Sequence, residues 1–180
     1  TRLSRKVIRS FANSNLFEIS LNKYLDSAII PRENIFAAIG DGELIDIANK
    51  LGVNVCLRTP ESILTRRDGS SPMLKEIYDW HKNLKQQGYH HYVILSPCTP
   101  LVRVSTIDKF VNDFLQSDCR GMFAVFERKN FIYDTEHKMI NNFLGTEAQL
   151  VIMDSKMLQP LYEHANSLYA GTIADIENNI

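Results

Sequence analysis

The sequence predicts an α/β fold: a doubly wound, mostly parallel sheet flanked by helices. Two patterns predict it. Short apolar runs at 35–39, 53–57 and 91–95 alternate with stretches of helical periodicity ten or more residues long, which is how strand–helix–strand units read. The polar, glycine-rich or proline-rich turns follow the apolar runs, and in such sheets those turns gather on the edge where ligands bind. A chain of 180 residues, 44% apolar and 23% charged, can close one continuous core. We therefore expect one domain over 1–180, with a small insertion at 127–146. The first strand is missing from this pattern, because Arg2, Arg5 and Lys6 stand directly ahead of the first helix.

The elements follow in order. Asn13 or Ser14 is placed to cap a helix whose apolar face carries Leu16, Phe17, Ile19, Tyr24 and Leu25. Ile35–Ile39 reads as a short buried strand after Pro31. Gly40-Asp41-Gly42 is a turn whose Asp41 caps the next helix, and Gly52 closes that helix. Val53–Leu57 is a second strand, and Pro72 opens a helix running to about Gln87. His91–Leu95 is a third strand, ended by Pro97 and Pro100. Ser105 is placed to cap a helix that turns Ile107, Phe110, Val111 and Phe114 inward. Strands are expected at Gly121–Phe126 and Gln149–Met153, a helix over Ser155–Asn166, and an extended end over Thr172–Ile176.

Composition excludes several classes of function. A net charge of -1 lacks the basic surplus that sequence-independent nucleic-acid binding requires. No apolar run approaches the roughly 20 residues of a membrane-spanning helix. The cysteines Cys56, Cys98 and Cys119 are odd in number and widely spaced, which fits reduced thiols in a cytoplasmic protein and points to core positions. The five histidines match no zinc spacing.

Three groups of residues carry chemistry. Arg2, Arg5 and Lys6 offer forked and point-charge donors to phosphate, or form a solvated basic cluster. Ser96 and Thr99, in a turn fixed by Pro97 and Pro100, can present hydroxyls to a base or sugar, or simply make a tight connection. Asp175 and Glu177, two apart on an extended segment, share a side and can hold one divalent ion, or end a solvated strand. The 66–71 loop is a further candidate anion contact.

Taken in order, these pieces resemble the cytidylyltransferases that activate acidic sugars, the CMP-sialic acid and CMP-Kdo synthetases. Thr1-Arg2-Leu3-Ser4-Arg5-Lys6 looks like the second half of that family's S-[KT]-R-[IL]-P-x-K loop. Ile39-Gly40-Asp41 through Gly52 resembles its second strand and helix. Ser96-Pro97-Cys98-Thr99-Pro100-Leu101-Val102 looks like Q-P-T-S-P-L-R, and Asp175-Ile176-Glu177 like its late Asp-x-Asp pair. Ser96 stands in place of the glutamine and Val102 in place of the arginine, with Arg103 one position on.

The resemblance implies a Rossmann-like nucleotidyltransferase that moves CMP from CTP to a 2-keto sugar acid and releases pyrophosphate. It implies Arg2, Lys6 and Asp175 in catalysis, and Arg2, Lys6, Asp41, Ser96 and Thr99 at the nucleotide. Arg58, Asp68 and Arg103 would contact the sugar acid, and Asp175 with Glu177 would hold Mg²⁺. It also implies a homodimer formed through the stretch at 127–146, where Phe126, Phe131, Tyr133 and Phe143 either form an apolar contact surface or simply cover the core. The departures at Ser96 and Val102 leave two other readings open: a nucleotide- or partner-binding relative without activity, and another sugar-nucleotide transferase.

Overall fold

The computed structural model describes residues 5–63, 72–141 and 155–178. The strand expected at Gln149–Met153 lies outside them, as do Arg2, Asp68 and Phe143.

A short hairpin joins β1 (Ser10–Phe11) to β2 (Ser14–Asn15), with Ala12 and Asn13 both left-handed in the turn. Such a two-residue turn matches the twist of its strands. This use of Asn13 leaves Asn15 to cap α1 (Leu16–Leu25), where its Oδ1 accepts the Glu18 amide at 2.8 Å. Ser14 donates back to the Glu18 carboxylate at 2.7 Å, so the helix start is satisfied from both directions. β3 (Phe36–Ile39), α2 (Gly42–Leu51) and β4 (Asn54–Leu57) form one strand–helix–strand unit, with β3 and β4 parallel. Asp41 caps α2, and Gly52 ends it at φ 69°, a conformation that costs glycine little.

After β4 come α3 (Pro60–Ile63) and α4 (Pro72–Gln86), then β5 (His91–Leu95) and α5 (Val104–Gln116). α5 begins two residues earlier than its sequence suggests: Arg103 is the cap residue, without a side-chain bond, and Ser105 lies inside the helix. Its inward face is Ile107, Phe110, Val111 and Phe114, all buried. β6 (Gly121–Arg128) and β7 (Leu161–Thr172) complete the strands, and α6 (Ile173–Asn178) ends the described chain.

Two expectations near the end fail. The segment 155–166 is not a helix; a 3₁₀ turn over Ser155–Met157 precedes β7. Leu158, Leu161, Tyr162 and Ala165 do have helical spacing, but from Leu161 the segment belongs to β7, and the pairing of β7 with β6 overrides that local signal. Of the end expected as extended at Thr172–Ile176, only Thr172 is, as the last residue of β7, and the chain is helical from Ile173. Thr172, followed three residues later by Asp175, is a helix-start signal.

The described strands form three sheets, β1-β2, β3-β4 and β5-β7-β6, rather than one continuous doubly wound sheet. β5 and β7 are antiparallel, so the sheet is less parallel than expected. The chain divides into two compact units, 1–122 with 167–180, and 123–166. In the first, Phe17, Leu21, Ile35, Ala37, Ile39, Ala48 and Val53 make one core cluster. The second is built around Met139 and Leu158, with a buried Asn141. Cys98 and Cys119 are exposed and Cys56 is half-buried, which corrects the expectation of three core thiols; all three are free.

Tyr24 on α1 reaches β5, its hydroxyl 3.5 Å from the Val93 carbonyl. Burial pushes its phenol well above the usual value, while the Leu95 backbone acts in the opposite direction. Burial likewise raises Tyr92 and Cys56. A raised folded-state pKa favours the protonated form. The stability it contributes is therefore present below the unfolded tyrosine value, about 10, and lost as pH climbs through the folded one. Lys23, lowered by burial, acts in the opposite sense. Urea unfolding should show stability falling above about pH 10, with a shallower fall in Tyr24→Phe.

Candidate functional site

The carboxyl ends of β3, β4 and β5 define one rim of the first unit. The amino ends of β3 and β5 lie together: the Tyr89 ring meets Phe36 edge-on at 5.9 Å, and its hydroxyl donates to Asn34 Oδ1 at 3.1 Å. Both strands therefore run the same way. The turns that follow them, Gly40–Gly42 and Ser96–Arg103, face the same side. This is the edge on which ligands bind in open α/β sheets.

Three pieces of chemistry meet there. Arg5 sits in the left-handed region at φ 54°, ahead of the 3₁₀ turn Lys6–Ile8, and its guanidinium pairs with Glu43 in the first turn of α2. That ion pair ties the basic turn to the helix capped by Asp41, whose Oδ1 accepts the Glu43 amide at 3.0 Å. Asp41 and Glu43 already supply the negative charge that a helix start favours. An incoming phosphate would thus be held by the cations rather than by α2. Lys6 is exposed on the turn.

Arg58, just past β4, donates from its backbone to Ile39 at 2.8 Å and fastens its guanidinium to Ser62. This positions the charge but also occupies part of its donor set.

The Ser96–Arg103 turn is internally bonded. Thr99 Oγ1 donates to the Ser96 carbonyl at 2.7 Å, and Ser96 Oγ accepts the Cys98 amide at 3.3 Å. Each hydroxyl keeps capacity for a ligand, since a hydroxyl combines one donor with two acceptor sites. Lys23 braces the turn by donating to the carbonyls of Thr99, at 3.3 Å, and Pro100. Lys23 is not recognisable as a site residue from the sequence, because nothing in the one lysine of α1 identifies a partner 76 residues later. Arg103 is exposed at the start of α5.

Asp175 and Glu177 do not join this group. The register pairs His91 with Thr172 and Leu95 with Leu168, so α6 follows the end of β7 that lies beside the amino end of β5. Ser96 lies at the other end, where its amide donates to Ser167 at 2.9 Å. Five residues of strand, about 16 Å, separate the two ends. The carboxylate of Asp175 accepts the Thr172 hydroxyl and pairs with Arg120. Both acids fall on a helix, so the alternation that would have set them on one face is absent. Among the described residues no group of three or more His, Cys, Asp or Glu is placed to hold a metal ion. The Asp175 carboxylate, held by Thr172 and Arg120, lies at the end of β5 away from the rim and reads as a helix-start residue. Asp175→Asn should accordingly cost about 1 kcal/mol or less, because Arg120 is largely exposed. Thermal unfolding with and without Mg²⁺ checks this, and the cost should not depend on the metal.

No family model matches the sequence, and no curated protein matches it. No helix among the described residues is long and apolar enough to cross a membrane. Solved structures do resemble the chain. One is a cytidylyltransferase from Leptospira borgpetersenii serovar Hardjo-bovis, at 16% identity and a TM-score of 0.57, covering 99% of this chain and 58% of that one. Another is CMP:2-keto-3-deoxy-manno-octonic acid synthetase complexed with CTP, at 11% identity and a TM-score of 0.64, covering 98% and 70%. A third is 4-diphosphocytidyl-2C-methyl-D-erythritol synthase from Anaerococcus prevotii, at 14% identity and a TM-score of 0.60, covering 95% and 69%. The chain thus spans 58% of the length of the first of these relatives. Its fold is the mixed α/β, Rossmann-like fold of these nucleotidyltransferases.

Proposed function

We propose that the chain carries the nucleotide site of a cytidylyltransferase that moves CMP from CTP to a 2-keto sugar acid of the sialic acid or Kdo kind, with release of pyrophosphate. One observation carries this reading. The basic turn of Arg5 and Lys6, the Asp41 turn and the Ser96–Arg103 turn gather at the carboxyl ends of β3 and β5, in a fold that one relative has with CTP bound.

In this reaction the anomeric hydroxyl of the acid attacks the α-phosphorus, the bond to the β-phosphate oxygen breaks, and pyrophosphate leaves with the electron pair. No covalent protein intermediate is needed, so positioning and charge neutralisation supply the rate. Lys6, together with Arg2, would balance the charge growing on the leaving group. Ser96 and Thr99 would present their remaining hydrogen-bonding capacity to cytosine or ribose, with Lys23 holding their turn in place. Arg58, Asp68 and Arg103 are the proposed contacts to the sugar acid.

The test is pyrophosphate release by the purified chain with CTP, against a panel of 2-keto sugar acids. Release with one of them supports the reading. A preference for UTP would move the assignment to a different transferase. CTP binding without turnover on any acid would favour a nucleotide-binding relative.

The second unit is the proposed self-association surface. It exposes the large apolar side chains Phe123, Phe126, Phe131, Tyr133 and Tyr162, which a second copy would cover. Sedimentation equilibrium should report a dimer for the native chain and a monomer for Phe126→Glu.

A further inference from the structure

In the turn after β5, nearly every amide from Ser96 to Val102 is committed within the fold. Ser96 donates its amide to the Ser167 carbonyl at 2.9 Å, and Cys98 donates to Ser96 Oγ at 3.3 Å. The Thr99 amide goes to the Ser96 carbonyl and the Val102 amide to the Thr99 carbonyl, each at 3.3 Å. Pro97 and Pro100 have no amide to give. Over this stretch, Leu101 alone keeps an amide with no partner among the described residues.

The acceptors divide differently. The Ser96 carbonyl takes the Thr99 hydroxyl at 2.7 Å, while Lys23 takes the carbonyls of Thr99, at 3.3 Å, and Pro100. The carbonyls of Pro97, Cys98 and Leu101 have no hydrogen bond among the described residues. Thr99 adds a further acceptor. Its one hydroxyl proton is committed to Ser96, so Oγ1 meets a ligand with lone pairs alone. Ser96 Oγ, which accepts the Cys98 amide, still has its proton and can serve either polarity. The turn is therefore biased towards accepting.

This set of acceptors is held in place. Two prolines fix their own backbone angles, and the half-buried Lys23 clamps two successive carbonyls from α1. Next to it on α1, the Tyr24 hydroxyl lies 3.5 Å from the Val93 carbonyl, so one helix end holds both β5 and the turn that follows. Fixed acceptors suit a donor whose protons are fixed as well. The amino group of a nucleobase is such a donor, because its N–H bonds lie in the ring plane. A ribose hydroxyl turns its proton to suit and gains nothing from a rigid partner. Where cytosine carries an amino donor, uracil carries an oxo acceptor. An oxo group set against these lone pairs would be repelled and would leave them unmatched.

We propose that Thr99 is the base-selecting residue of the rim. Its Oγ1, with the Pro97 and Cys98 carbonyls next to it in the chain, accepts the amino group of an aminopyrimidine nucleotide and rejects the oxo form. Lys23 is the positioning residue that holds this set. The inference rests on the nucleotide reading and deepens it, because it assigns the turn to the base rather than to the ribose.

The test is equilibrium binding by calorimetry. The ligands are CTP, UTP, 2′-deoxy-CTP and the 2-pyrimidinone ribonucleoside triphosphate, which lacks the amino group, with inorganic triphosphate as the base-free control. CTP should bind about tenfold more tightly than the 2-pyrimidinone nucleotide and about 100-fold more tightly than UTP. 2′-Deoxy-CTP should bind nearly as CTP does. Thr99→Val should cut the CTP-to-UTP ratio about tenfold, and Thr99→Ser should restore it. Lys23→Met should cut the ratio as well, with Lys23→Arg retaining most of it. None of these changes should alter the affinity for inorganic triphosphate. Equal affinities for CTP and UTP in the native chain would overturn the proposal and leave the nucleotide site standing. So would a larger loss with 2′-deoxy-CTP than with the 2-pyrimidinone nucleotide, which would give the turn to the ribose. Variants that lose CTP and inorganic triphosphate alike would also overturn it, making Thr99 and Lys23 supports of the fold instead. If no nucleotide binds the native chain, the nucleotide reading fails first and this one with it.

Discussion

Lys6→Ala should lower the rate of pyrophosphate release from CTP by about 100-fold, roughly 3 kcal/mol of transition-state stabilisation. The side chain is exposed on a 3₁₀ turn in the first unit, so its removal should leave the folded state intact. Charge that grows on departing pyrophosphate needs a partner present in the transition state, and a lysine on the rim supplies one without any change of its own protonation. Arg5→Ala should cost less, because that guanidinium is already committed to Glu43. Asp175→Asn should leave the rate nearly unchanged, since that acid lies at the other end of β5. Steady-state rates of the three variants, with circular dichroism to confirm folding, check the ordering. Equal losses for Lys6 and Asp175 would contradict the placement of the site.

Asn141→Ala should unfold the second unit while the first remains folded. Asn141 is fully buried, and its amide group donates to the carbonyls of Asn130, at 2.7 Å, and Gln159, at 3.3 Å. Its Oδ1 accepts the Ile132 amide at 3.3 Å, and its own carbonyl accepts from Gln159 at 3.2 Å. One side chain therefore crosslinks three backbone segments. Truncation leaves those partners unmatched and opens space beside Met139 and Leu158. Unmatched buried groups cost about 1–3 kcal/mol each, so a loss of at least about 3 kcal/mol is expected. A unit this small has little more than that in reserve. Hydrogen exchange should show collapsed protection around Met139 and Leu158, with Ile107 and Leu168 unaffected. Retained protection at Met139 would refute this role.

The parts of the fold that were legible in the sequence are those specified locally. Asp41 and Gly52 bracket α2 because a cap and a left-handed glycine act within one turn. The apolar spacing of α5 gave its buried face. β5 was readable because Pro97 follows it closely. What was misread depends on distant partners. Residues 161–166 have helical spacing and form a strand because they belong to β7, which pairs with β6. Asp175 and Glu177 share one face only on an extended backbone, and both fall on α6. The Thr172–Asp175 helix-start signal was present and was outweighed by their likeness to a metal pair.

At the site, the basic turn and the Asp41 turn were legible as chemistry, but their joining through Arg5 and Glu43 was not. Ser96 and Thr99 were correctly placed at a strand end. That their hydroxyls first serve the turn itself, and that Lys23 braces it, depends on contacts far apart in sequence.

Titration of the isotope-labelled chain with CTP, followed residue by residue through backbone amide shifts, is the most direct test of the rim as the nucleotide site. The largest changes should fall on Lys6, Asp41, Ser96 and Thr99, with Ala174 and Asp175 nearly still. Shifts centred on α6 and the amino end of β5, or none at millimolar CTP, would contradict it.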